Sequence, residues 1–244
     1  MSIPSLTTAQ MIEVDRAMIE DYHIELIQMM ENAGGAFAEL ARRHLRGAVP
    51  GSSVVVLCGS GGNGGGGMTA ARRLHNWGAD VVVALTKSAD DLRGVPAHQL
   101  DILQRMKIPV MDSASLRFDK SQRKPPNPSL ILDAIIGYSL TGSPRGAAAE
   151  LICWANAQSA PILALDTPSG LDVTSGTAHD PTIHATATLT LALPKQGLLT
   201  AEAKKFVGEL YLADISVPPE LYAKMGIDVP PLFAESDVVK VAQV

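Results

Sequence analysis

Apolar residues recur in two rhythms along this chain. Met11, Val14, Met18 and Ile19 share one helical face, and Thr7-Thr-Ala-Gln10 ahead of them is a capping-box signature, so a helix is predicted to run to about Tyr22. Leu26, Ile27, Met30, Ala33, Phe37, Leu40 and Ala41 keep the same period and predict a second helix from near Ile24. Elsewhere the apolar positions are contiguous. Val54 to Leu57, Asp80 to Leu85, Leu130 to Gly137 and Pro161 to Asp166 read as apolar strands covered on both faces, as in a parallel sheet, the last two carrying an aspartate towards their ends. Helices are predicted between them over 68–77, 96–106 and 147–158, with a short edge strand at 109–111. Ala185 to Ala192 alternates threonine with apolar residues, which suits a strand near the sheet edge. A short helix over 198–205 and a strand over 208–213 follow, and 214–244 reads as loops and turns. Residues 113–129 carry three prolines and read as a surface loop. The alternation predicts an α/β fold with a doubly wound, mostly parallel sheet and helices on both faces.

Composition limits the partners. With 46% hydrophobic residues in 244, one domain spanning 1–244 can bury a sizeable core. A net charge of −5 argues against a nucleic-acid partner, and no basic run exceeds a pair outside the neighbourhood of Arg123-Lys124. Cys58 and Cys153 lie in apolar patterns without ligand spacing, so buried free thiols are expected, as in a reducing cytoplasm. No charged-then-apolar leader opens the chain, and no apolar run approaches the ~20 residues needed to cross a bilayer. The expectation is a soluble, cytoplasmic protein without membrane contact.

The chemistry concentrates around glycine. From Gly59 to Gly67 only Ser60 and Asn63 carry side chains, between a predicted strand and a predicted helix. Such a loop can bring backbone N–H groups and a helix N-terminus to a phosphate. Gly59 to Gly64 also matches G-x-G-x-x-G, a match that comes cheaply in so glycine-rich a run, and no Walker lysine follows. The plain alternative is a turn whose glycines permit close packing. Asn63, an amide isolated among glycines, offers a carbonyl oxygen to a cation or an N–H to a substrate. Gly34 and Gly35 fall within the second helix and point to close approach of another backbone or a ligand, with plain close packing the blander alternative. Asp133 and Asp166 both stand where apolar strands deliver side chains to the carboxyl edge of the sheet. A lone terminal aspartate is usually a cap or turn former; two of them beside glycine loops point to a site.

Taken in order, LTTAQMIEVDRAMIE, MMENAG, CGSGGNGGGGMTAARRL, LDAIIGYSLTG, LALDTPSGLDVTSG, LTLALPKQGL and GELYLADISVPPEL resemble the blocks of the NAD(P)H-hydrate epimerases, the YjeF N-terminal domain family, from Thr7 to about Pro219. The resemblance implies a three-layer Rossmann-like fold, a homodimer, and epimerisation of the R and S forms of hydrated NADH and NADPH. A separate dehydratase would then act on the S form. It implies that Asn63, Asp133 and Ser169 hold a potassium ion and that Asp166 contacts the hydrate as acid–base residue. Gly62, Asn63, Gly64, Gly65 and Gly66 would lie along the substrate, as would Gly137, Tyr138, Ser139, Leu140, Thr141, Gly142 and Ser143.

Where that family reads Asn-Asn-Gly-Gly-Asp-Gly, this chain has Gly62-Asn63-Gly64-Gly65-Gly66-Gly67. The expectation is a looser loop with one amide and one carboxylate fewer. That leaves a second reading, a non-catalytic member that binds a nucleotide-like ligand or a protein partner. A phosphoryl transferase, the third class, lacks a Walker lysine or a magnesium set.

Overall fold

Glycine decides where the central helices can sit. In a computed structural model, which describes residues 3–112 and 127–242, the chain forms α1 (Thr8–Glu20), α2 (Leu26–His44), β1 (Ser53–Cys58), α3 (Gly62–Asn76), β2 (Asp80–Leu85), α4 (Gly94–Arg105) and β3 (Val110–Asp112). It continues with β4 (Leu130–Ala134), α5 (Gly146–Asn156), β5 (Ile162–Leu165), β6 (Ala187–Leu191), α6 (Lys204–Val207), β7 (Glu209–Ala213), α7 (Pro219–Lys224) and β8 (Val238–Lys240). The strands make one sheet in the order β3-β2-β1-β4-β5-β6-β7-β8, parallel except for antiparallel β8. The doubly wound α/β fold is the one the sequence predicts.

The contiguous apolar strands are apolar because both faces are covered. Val54, Val56 and Cys58 of β1 pack in one core with α2, α3 and α4, whereas Val55 and Leu57 turn to α5. A further cluster joins α1, α7 and the Leu210 and Leu212 face of β7. At the start of α1 the capping box forms as read: Gln10 N–H donates to Thr7 Oγ1 at 3.2 Å, and Thr7 N–H donates to Gln10 Oε1 at 2.9 Å.

The main departure is at Gly62–Gly67, which form the first turns of α3 rather than a loop, with Gly65 N–H donating to Gly61 O at 3.1 Å. These glycines are tightly held, not loose. A Cβ on Gly65 would come within 2.4 Å of Met30 Sδ, one on Gly67 within 2.5 Å of Ala134 Cβ, and one on Gly34 of α2 within 2.4 Å of Thr69 Cβ. Close approach of α2, α3 and the sheet outweighs a helix-propensity cost of about 1 kcal/mol per glycine. The packing alternative, at both glycine runs, is therefore the one realised at these positions.

Smaller corrections have equally local causes. Strand β4 stops at Ala134, not Gly137, so Asp133 sits inside the strand. Strand β6 lies between β5 and β7 rather than at an edge. Its threonines alternate because Thr188 and Thr190 find buried partners, Thr188 Oγ1 donating to Val207 O at 2.8 Å. The helix expected over 198–205 is split into a 3₁₀ turn at Gln196–Leu199 and the short α6. In the tail, Pro219 starts α7 and β8 closes the sheet, elements too short for a period to show. Cys58 is buried but Cys153 is exposed on α5. Of the expected surface loop, residues 113–126 lie outside the described residues.

Candidate active site

Strand order reverses between β1 and β4, which is where an open α/β sheet offers a crevice at its carboxyl edge. Gly59 N–H bridges the two strand ends by donating to Ala134 O at 3.0 Å. A cavity of about 520 Å³ opens above them, within the size range of small-molecule sites. Met11 of α1 and Met29, Met30 and Ala33 of α2 supply apolar wall, facing the ends of β1, β4 and β5.

Asp166, the residue after β5, is aimed into this space by an unusual turn. Its φ is +67°, and Thr167 N–H donates to Leu165 O at 2.9 Å across it, the signature of a γ-turn. Aspartate tolerates positive φ better than most residues, and such strain gathers at functional positions. Tyr138 N–H donates to Asp166 Oδ2 at 2.9 Å. Asp166 Oδ1 forms a buried ion pair with Lys195 Nζ. Lys195 is wholly buried, and its ammonium also donates to Thr190 Oγ1 at 3.1 Å and Leu191 O at 3.0 Å. Each of its three donors has an oxygen.

Asp133, by contrast, is consumed by the protein. Its Oδ1 accepts from Ser169 Oγ at 2.6 Å and Ile135 N–H at 3.2 Å, and its Oδ2 accepts from Ser169 N–H at 2.8 Å. Ser169 Oγ accepts in turn from Ile136 N–H at 2.9 Å. The network buckles the end of β4 to the turn after β5. Burial pushes the Asp133 carboxyl up to about 6, against the pull of those hydrogen bonds.

Asn63, in the first turn of α3, is the unsatisfied member. Its Oδ1 and Nδ2 are buried without a hydrogen-bond partner among the described residues. A Cβ on Gly137 would lie 3.5 Å from the Asn63 side chain and 3.1 Å from Asp166 Oδ2, so Gly137 lets the two come together. A buried amide with nothing to bond is costly and points to a ligand. No side chain caps α3, and Gly61, Gly62 and Asn63 at its start line the cavity, leaving first-turn N–H groups and the helix dipole for an anion.

The residues singled out in the sequence therefore divide. Gly62, Asn63, Gly66, Gly137, Tyr138, Ser139 and Asp166 line the cavity, whereas Gly64 and Gly65 are buried in helix packing behind it. Leu140, Thr141, Gly142 and Ser143 stand outside its wall, the last three exposed. Two functional groups were not singled out. Lys195 could have been noticed as a lone lysine between apolar runs, since a lysine is rarely buried unless paired. Asp15 of α1, to which Tyr138 OH donates at 2.5 Å, carried no signal beyond a polar helix position.

Comparison with known proteins agrees with this architecture. The family model described as YjeF-related protein N-terminus matches residues 26–197. An NAD(P)H-hydrate epimerase of Dehalogenimonas lykanthroporepellens is 40% identical over 226 residues, covering 93% of this chain and 87% of that protein. A bifunctional NAD(P)H-hydrate repair enzyme Nnr of Moorella thermoacetica is 36% identical over 89% of this chain, which spans only 41% of its length. The crystal structure of yeast ynu0 superposes with a TM-score of 0.81 at 24% identity, covering 98% of this chain and all of the other, and shares the fold. The chain belongs to the YjeF-related N-terminal domain family.

Proposed function

We propose that this protein is an isomerase that interconverts the R and S forms of hydrated NADH and NADPH in nicotinamide nucleotide repair. The observation that carries the reading is the Asp166–Lys195 pair at the switch-point cavity of a chain 40% identical to a protein named NAD(P)H-hydrate epimerase. Epimerisation at a ring carbon that bears a hydroxyl beside the ring nitrogen needs that hydroxyl to leave and return. A positioned carboxyl group passes the proton, and a nearby carboxylate favours the cationic ring between the two steps. The free N–H groups of the α3 start suit the pyrophosphate, and the rest of the dinucleotide runs past Ser139 along the exposed Thr141–Ser143.

Potassium is part of the proposal. Asn63, with its unpartnered buried oxygen, offers a ligand to an oxygen-coordinated cation, and the Asp133 carboxylate with the Ser169 hydroxyl bonded to it would complete the set through lone pairs left over from their own hydrogen bonds. Bound there, the ion would fix the ends of β4 and α3 relative to each other. No helix among the described residues is long and apolar enough to cross a membrane. We propose a cytoplasmic homodimer, which light scattering checks, handing its S product to a dehydratase.

The test mixes R and S hydrates of NADH with the purified chain and follows their ratio by chromatography. Relaxation faster than in a blank supports the reading; relaxation at the blank rate rejects it. The replacement of the family's second amide and its carboxylate by Gly62 and Gly66 keeps a second reading in play, a non-catalytic binder. Tight binding of the hydrates without relaxation would identify that case.

A further inference from the structure

The cavity has three titratable side chains in its wall among the described residues: Asp166, Asp15 and Tyr138. Asp166 is immobilised. Its Oδ1 is taken by Lys195, its Oδ2 by Tyr138 N–H, and its backbone by the γ-turn. Inversion at a carbon that passes through a planar cation requires chemistry on both faces, because water leaves from one and adds to the other. A carboxylate pinned at three points serves one face.

Asp15 and Tyr138 are the remaining groups, and they are joined. The Tyr138 hydroxyl donates to Asp15 Oδ2 at 2.5 Å, while the Tyr138 backbone grips Asp166. Asp15 is contributed by α1, ahead of the segment 26–197 that the family model matches. We infer that Asp15, with the Tyr138 hydroxyl it holds, is the second proton-handling unit of this site and serves the ring face that Asp166 does not. The inference rests on the epimerase reading.

The two carboxyl groups sit in unlike surroundings. Asp166 has a buried cation beside it; Asp15 has none in contact and loses solvent, and that burial pushes its carboxyl above the ordinary carboxylate range, against the pull of the Tyr138 hydrogen bond. The charged and titratable groups that face it are Tyr138 from the loop after β4, Asp166 after β5, Lys195 after β6 and Tyr222 of α7.

The steps balance. In one direction the Asp15 carboxyl, through the Tyr138 hydroxyl, gives a proton to the departing oxygen. The carbon–oxygen bond breaks with its electron pair leaving on water, and the ring nitrogen lone pair forms the C=N⁺ bond. Water then adds to the other face, the C=N⁺ pair returns to nitrogen, and Asp166 takes the released proton. The enzyme is left with the proton moved from Asp15 to Asp166, the state that runs the reverse direction, and exchange with solvent resets it.

Asp15→Asn is the test, because the Asn carbonyl still accepts from Tyr138 while the exchangeable proton is gone. In the proton-handling case kcat falls by about 10²-fold in both directions and KM stays within about twofold. The melting temperature is not lowered, and the pH profile of kcat loses one limb. Tyr138→Phe, which breaks the relay but spares the backbone N–H, should also lower kcat with the melting temperature kept. Parental kcat with an unchanged pH profile in Asp15→Asn overturns the inference alone. So does a loss expressed only as raised KM or lowered melting temperature, which would make Asp15 a packing residue. A parent protein that fails to relax the R and S hydrates overturns the epimerase reading and this inference together, and does so before any substitution is made.

Discussion

Asp133 and Asp166 reach the carboxyl edge of the sheet on neighbouring strands, yet the chain uses them differently. Asp133 is enclosed by hydrogen bonds from Ser169 and Ile135 and has no wall of the cavity to itself. Asp166, two residues further along its own strand end, is thrown forward by a γ-turn and given Lys195 as a buried counter-ion. Position along a strand brings a carboxylate to the edge; what surrounds it there decides whether it ties the strand ends together or faces the cavity.

The comparison breaks most sharply at Asp166. Asp166→Asn should lower epimerisation by about 10²–10⁴-fold. It should also leave the Lys195 ammonium buried and unpaired, at a cost of about 3–5 kcal/mol seen in denaturant melts. Near-parental turnover in this variant would return Asp166 to a structural role. Adding Lys195→Met to it should recover part of the lost stability and none of the activity, because the stranded charge is removed while the carboxylate stays absent. If the double variant is no more stable than the single, the ion pair is not what holds this corner.

At Asp133 the effect is smaller and depends on pH. Its folded value of about 6 lies above the ordinary 3.8, so the native state holds a proton that the unfolded chain releases between the two. The group's contribution to stability is therefore full below the unfolded value and lost as pH rises through about 6, a swing of about 3 kcal/mol. In potassium-free buffer the melting temperature should fall between pH 5 and 7.5, and Asp133→Asn should flatten that slope. Potassium, but not choline, should restore stability at the upper pH. A parental slope that survives the substitution removes Asp133 as its source.

The smallest effect is expected at Gly62, the first residue of α3, which has room: an added Cβ meets nothing closer than Met30 Cε at 3.5 Å. Gly62→Asn should change stability by no more than about 0.5 kcal/mol while altering hydrate affinity. Gly67→Ala, by comparison, should cost about 1–3 kcal/mol through overpacking against Ala134 and Cys58. Equal costs at the two positions would mean that the glycines are not divided between cavity and packing.

The strands were legible because contiguous valines and leucines leave no exposed face, and the capping box fixed the start of α1. The start of α3 was not. Six residues rich in glycine have low helix propensity, and only the tertiary contact with α2 and the sheet makes them helical. Asp166, Asn63 and Tyr138 could be singled out because they stand beside glycine or at a strand end. Asp15 could not, since its value comes from a partner 123 residues away in sequence; Lys195 left the faint mark of a lysine between apolar runs, but its partner, 29 residues away, did not show.

The glycine seam between α2, α3 and the sheet has a consequence for how this protein can change over generations. At Gly64 an added Cβ would fall 1.9 Å from Gly59 O, and at Gly34 and Gly67 it would strike Thr69 Cβ and Ala134 Cβ within about 2.5 Å, so folding alone selects against substitution there. Were those positions invariant among relatives, that would record packing and say nothing of chemistry. Gly61 and Gly62 are free of that constraint and line the cavity, so a side chain added there could change what the site recognises while keeping the same scaffold.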